Sequence, residues 1–172
     1  MGSEMCIRDR INAARLAIQN DEWPLRSLLR MTKLTREIGS DPFSSELLRV
    51  AEEQRSDHPS VELYRYEAYL TLGLREAAER ALRVGLSDAP RHFKLRRALA
   101  WLLEDMGRIQ EAIVVLESLA SDNPGLGYIW HELGRLKKSE RDFIGARVAF
   151  ETCIRLDPHN EALKRLLAEV LV

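Results

Sequence analysis

Apolar residues recur along this chain at helical rather than strand spacing. Ile11, Ala14, Ala17 and Ile18 form one stripe, and Leu25, Leu28 and Leu29 open another that is followed by Leu34 and Ile38 up to Gly39. Placement at i, i+3, i+4 and i+7 predicts amphipathic helices, each burying one face. Pro24 sits where a helix can begin, and Asp41-Pro42 reads as an N-cap followed by proline in the first turn, ahead of Leu47, Leu48, Val50 and Ala51. Further on the pattern sharpens into paired helices, predicted over 61–72 and 75–86, 93–106 and 109–120, and 128–139 and 143–156. Gly73 and Gly107 break the first two pairs at the middle. A last helix is predicted over 161–172, with Ala162, Leu163, Leu166, Leu167 and Val170 apolar.

The second helix of each pair carries an alanine one turn before a large apolar residue: Ala78 and Leu82, Ala112 and Leu116, Ala146 and Phe150. A small side chain lets two helices approach closely, and the bulky one fills the space towards the next pair. Pro90, Pro124 and Pro158 close the pairs, since proline does not continue the helix before it. Alanines and prolines alike recur every 34 residues.

Within 130–158, Trp130, Leu133 and Gly134 fit W-x2-L-G, Ala146 and Phe150 fit A-x3-F, and Pro158 ends the unit. In this order and period the stretch resembles the tetratricopeptide (TPR) family, whose repeat is about 34 residues long. The resemblance covers about 24–160. It implies an all-α, TPR-type α-solenoid, a right-handed superhelix of antiparallel helix hairpins in which each hairpin stacks only on its neighbours. The expected organisation is a degenerate TPR-like hairpin over 24–58, then TPR units over 59–92, 93–126 and 127–160. Residues 161–172 are either a capping helix or the start of a further repeat. Residues 11–23 read as the end of a truncated repeat helix. Residues 4–10, Glu-Met-Cys-Ile-Arg-Asp-Arg, resemble a translated sequencing-adapter end, so 1–10 is read as an artefactual N-terminus outside the fold.

Some positions depart from the family pattern. Ser44 stands one period before Ala78, where alanine is expected, and Tyr66 stands in line with Ala100 and Gly134, where a small residue is preferred. Gly85 falls in line with Leu119 and Cys153, so Tyr66 is expected to fill the space that Gly85 leaves.

Composition narrows the function more than the fold. Lys+Arg 26 against Asp+Glu 27 gives a net charge of −1, which disfavours bulk nucleic-acid binding. No apolar run approaches the roughly 20 residues of a membrane span. A cytoplasmic location is expected, with any signal or anchor upstream left open. Cys6 and Cys153 make neither a disulfide framework nor a metal spacing, and Cys153, beside Phe150 and Ile154, reads as a small core residue. His131-Glu132 begins like a zinc H-E-x-x-H helix, but Arg135 occupies the second histidine position. His58, His92 and His159 fall in turns between repeats. There is no glycine-rich phosphate loop and no G-x-S-x-G, so neither catalysis nor a cofactor is expected. Trp130 reads as a packing residue.

The resemblance implies instead a protein-protein interaction scaffold, because the first helix of each TPR lines a concave groove. Carried onto this chain, that groove would be lined by Arg30 and Lys33, with Arg26 and Arg36 beside them, then Tyr64 and Glu67, then Lys94, Arg97 and Trp101, and finally Tyr128, His131, Arg135 and Lys138. The set leans basic with aromatics interleaved, which suits an extended or helical peptide carrying acidic groups. The lysine, asparagine and arginine clamp of the chaperone-binding members lacks its asparagines here. Arg91, Lys94, Arg96 and Arg97 crowd a helix start, where the macrodipole disfavours cations; Asp88, Glu104 or Glu67 is expected to screen them. The apolar C-terminal helix also suggests self-association or a continuing chain. The alternative is a TPR arm of a larger bacterial enzyme, of sulfotransferase or glycosyltransferase type.

Overall fold

In the computed structural model, residues 59–171 are described. The readings made for 1–10, 11–23 and 24–58, with Arg30, Lys33, Ser44, Cys6 and His58, lie outside the described residues. Seven helices follow one another among the described residues: α1 Pro59–Thr71, α2 Arg75–Asp88, α3 Phe93–Asp105, α4 Ile109–Asp122, α5 Gly127–Ser139, α6 Phe143–Leu156 and α7 Glu161–Leu171. No strand occurs among the described residues. The chain divides into two compact units, Met1–Leu95 and Arg96–Val172.

The turn inside each pair is built the same way. After α1, the Gly73 amide donates to the Leu70 carbonyl and the Leu74 amide to the Tyr69 carbonyl, the two bonds of a Schellman motif. Gly107 and Arg108 repeat it onto Glu104 and Leu103, and Arg141 and Asp142 onto Lys138 and Lys137. The motif needs one residue at positive φ, and Gly73 (74°), Gly107 (75°) and Arg141 (63°) supply it. Glycine adopts that conformation freely, whereas an L side chain there costs roughly 1–2 kcal/mol. Arg141 is thus a strained residue in the place where the two preceding turns have glycine.

In the first unit α1 packs on α2, with Val61, Ala68, Ala78, Ala81 and Leu82 buried. A Cβ added at Gly85 would meet Glu62 Cβ and Leu95 Cδ1, each at 2.8 Å. The space beside Gly85 is therefore closed by Glu62 and Leu95. The expected filling by Tyr66 is corrected: the nearest atoms to that position are side-chain atoms of Glu62 and Leu95.

In the second unit Ala112 and Ala146 are fully buried, as Ala78 is in the first. Around them Leu102, Leu103, Leu116, Leu119, Ile129, Leu136 and Phe150 form the largest buried side chains. A buried side chain of this size contributes about 1.5–3 kcal/mol. Gly134 faces Phe150 so closely that an added Cβ would lie 2.7 Å from a ring carbon. The Trp130 indole donates to the Pro124 carbonyl at 3.0 Å and ties α5 to the turn before it. The Cys153 thiol reaches the Gly127 carbonyl at 3.1 Å, and burial pushes its pKa up to about 11. It is a core thiol held in its neutral form. The helix α7 packs on α6 through buried Leu163 and half-buried Leu166 and Leu167.

Candidate functional site: the face of the first helices

Three first helices carry the residues singled out for partner binding. In the first unit Tyr64 is half-buried on α1 and Glu67 is exposed, while Lys94, at the start of α3, is exposed. In the second unit Arg97, Trp101 and Glu104 follow at i, i+4 and i+7 on α3, and Tyr128, His131, Arg135 and Lys138 lie along one face of α5. Trp101 and Tyr128 are large aromatics with 45% and 44% of their surface exposed. The Arg97 guanidinium lies 4.7 Å from the centre of the Trp101 ring, a cation–π contact that holds the indole in place.

Ion pairs join these faces. Arg135 on α5 reaches Glu104 on α3 at 2.7 Å and Glu132 on its own helix at 2.7 Å. These carboxylates, Glu104 first, hold its pKa above the ordinary arginine value. Lys138 on α5 reaches Glu169 on α7 at 2.5 Å. Both inter-helix pairs are 31 residues apart, about one helical turn short of the repeat. His131 is half-buried, with its ring 6.3 Å from Phe150 and its Nδ1 3.6 Å from Glu132 Oε1. It belongs to the wall of this face.

For Arg96 the basic crowding at the start of α3 resolves differently from expectation. Arg96 is buried and donates to the Ser118 hydroxyl at 2.9 Å and to Asp122 at 2.7 Å on α4. Its charge ties α3 to α4 and is neutralised by Asp122, not by Asp88, Glu104 or Glu67. Sequence reasoning missed Glu104, Glu132 and Glu169 as the partners of the α5 cations. The signal was present as opposite charges one turn short of a repeat apart, but it gains meaning only once neighbouring first helices are known to lie side by side.

The remaining candidates are structural. His92 accepts from the Leu95 amide at 3.3 Å as a helix cap, and His159 is exposed in the turn before α7. Among the described residues no three of His, Cys, Asp and Glu stand close enough to share a metal ion. No described helix is long and apolar enough to cross a membrane.

Comparison with known proteins identifies the repeats. A tetratricopeptide repeat model matches residues 93–136 and a second matches residues 127–160. Residues 93–160 are tetratricopeptide repeats. Among solved structures, MamA 41-end from Desulfovibrio magneticus RS-1 is 17% identical with a TM-score of 0.66, over 85% of this chain and 82% of that one. A crystal structure of MamA is 18% identical with a TM-score of 0.66, over 88% and 89%. MamA AMB-1 is 20% identical with a TM-score of 0.63, over 83% and 85%. No curated protein matches the sequence. These likenesses establish the fold, an all-α TPR-type solenoid, and the repeats make this TPR protein an interaction scaffold in kind.

Proposed function

We propose that this TPR protein is a non-catalytic scaffold that takes a peptide or a segment of a partner protein along the face of its first helices. In the second unit the anchors are Trp101 and Tyr128. The observation that carries the reading is the exposed Trp101 ring, held by Arg97 beside a row of charged residues already paired with one another. An aromatic that stays in water although it is ordered by a cation is suited to anchoring a partner, and tryptophan, tyrosine and arginine dominate binding energy at interfaces. Arg135 and Lys138 face Glu104, Glu132 and Glu169. Their charge therefore sets register more than affinity.

The experiment is selection of peptides from a random display library, followed by titration of the winners against the protein and its variants. Trp101→Ala is expected to weaken binding at least about tenfold, or 1.4 kcal/mol. Arg135→Gln is expected to change it by less than about threefold, in keeping with an exposed, internally paired charge. Peptides that bind Trp101→Ala and Tyr128→Ala as tightly as the parent protein overturn the reading.

A further inference from the structure

The second helices of the same unit carry another exposed surface, independent of the face just described. Val114 on α4 is 64% exposed, and Ile144 and Val148 on α6 are 77% and 50% exposed. These side chains point away from the stripes buried in the core: Ala112, Leu116 and Leu119 on α4, and Ala146, Phe150 and Cys153 on α6. The Gln110 amide donates to Glu140, the residue that caps the end of α5, at 2.7 Å and sets the start of α4 against the turn that leads into α6. Val114 follows Gln110 by one turn of α4 and Ile144 follows Glu140 by four residues, so this contact sets both on the same side of the unit, and Phe143, also half-exposed, opens α6.

The charges around this patch are mostly engaged. Glu140 accepts from Gln110, Glu117 from Lys137, and Asp142 from the Gly145 amide and Lys137; Arg147 and Glu151 face each other beside Val148. Arg141 is different. It is exposed at the rim, and its guanidinium has no partner among the described residues. It also holds the positive φ that glycine holds in the two preceding turns. A strained residue that leaves its side chain in water points to a use for that side chain.

We propose that the α4–α6 face is a second docking surface. Its occupant is an amphipathic helix of a partner protein that lays an apolar stripe on Val114, Ile144 and Val148 and brings a carboxylate to Arg141. The unpaired cation at the rim selects an acidic border on the partner, because every carboxylate named around the patch is already held.

The test uses the full chain and a synthetic, fluorescein-labelled helical peptide with a leucine face bordered by glutamates, alongside its lysine-bordered counterpart, read by anisotropy. The glutamate peptide is expected to bind at least about tenfold more tightly than the lysine peptide. Ile144→Asp or Val114→Asp is expected to abolish binding, and Arg141→Gly to weaken it about threefold or more while raising the unfolding midpoint. That pair of opposite effects is not produced by a purely structural Arg141. Equal affinity for the two peptides, no binding at up to about 1 mM, or loss on Trp101→Ala but not on Ile144→Asp overturns the proposal. So does a concentration-dependent dimer that Ile144→Asp abolishes, which would assign the patch to a second copy of the chain.

Discussion

Gly134→Ala tests the packing at the centre of the best-marked repeat. Glycine within a helix is unfavourable by about 0.8–1.0 kcal/mol relative to alanine, so on propensity alone the change stabilises α5. The structure opposes this. The new Cβ would stand 2.7, 2.9 and 3.0 Å from three carbons of the Phe150 ring, and that ring is fully buried. Forcing an extra methyl into such a site costs about 1–3 kcal/mol, leaving a net loss near 1 kcal/mol. Phe150→Leu alone opens a void and is expected to cost about 1–2 kcal/mol.

The double variant is the informative one, because it recreates the pair of the preceding repeat, where Ala100 and Leu116 occupy the same positions and are both buried. It is expected to recover most of the parent stability, with a coupling of about 1–3 kcal/mol. Urea unfolding followed by circular dichroism at constant m-value measures all four corners. If Gly134→Ala stabilises the protein, or if the two changes add within about 0.5 kcal/mol, then the ring and the glycine do not constrain each other and the reasoning fails.

Other consequences follow from the same packing. Ala112→Leu overfills the contact between α4 and its neighbours and is expected to cost about 1–3 kcal/mol in urea unfolding; a loss of a few tenths would mean that this methyl is not enclosed. Cys153 should resist alkylation in the native protein at pH 7–8, because its pKa lies near 11 and its sulfur is buried; rapid modification of its peptide by mass spectrometry would contradict that burial. Burial raises the Glu62 pKa above its ordinary 4.5, against the pull of Arg65. The folded state therefore binds more protons than the unfolded one just above pH 4.5. The stability contributed by this group is present below that pH and is lost as pH rises through the folded pKa. Glu62→Gln should flatten this part of the stability profile relative to the parent protein, and an unchanged difference across pH 4.5–7 would refute it.

Helix positions, pair boundaries and the three alanine contacts were legible in the amino-acid sequence alone, because each depends on neighbours within one or two turns or on a repeat of fixed length. A methyl before a bulky residue, a glycine at the turn and a proline at the close carry their geometry with them. Three things required the folded chain: the enclosure of Gly85 by Glu62 and Leu95, the pairing of Arg96 with Asp122, and the pairing of Arg135 with Glu104. Each joins residues from different helices, where the partner is chosen by which side chains the stacking brings within a few ångströms. The strain at Arg141 belongs to the same class. The 34-residue period already sets it in line with Gly73 and Gly107, but only the backbone conformation shows that it keeps their positive φ.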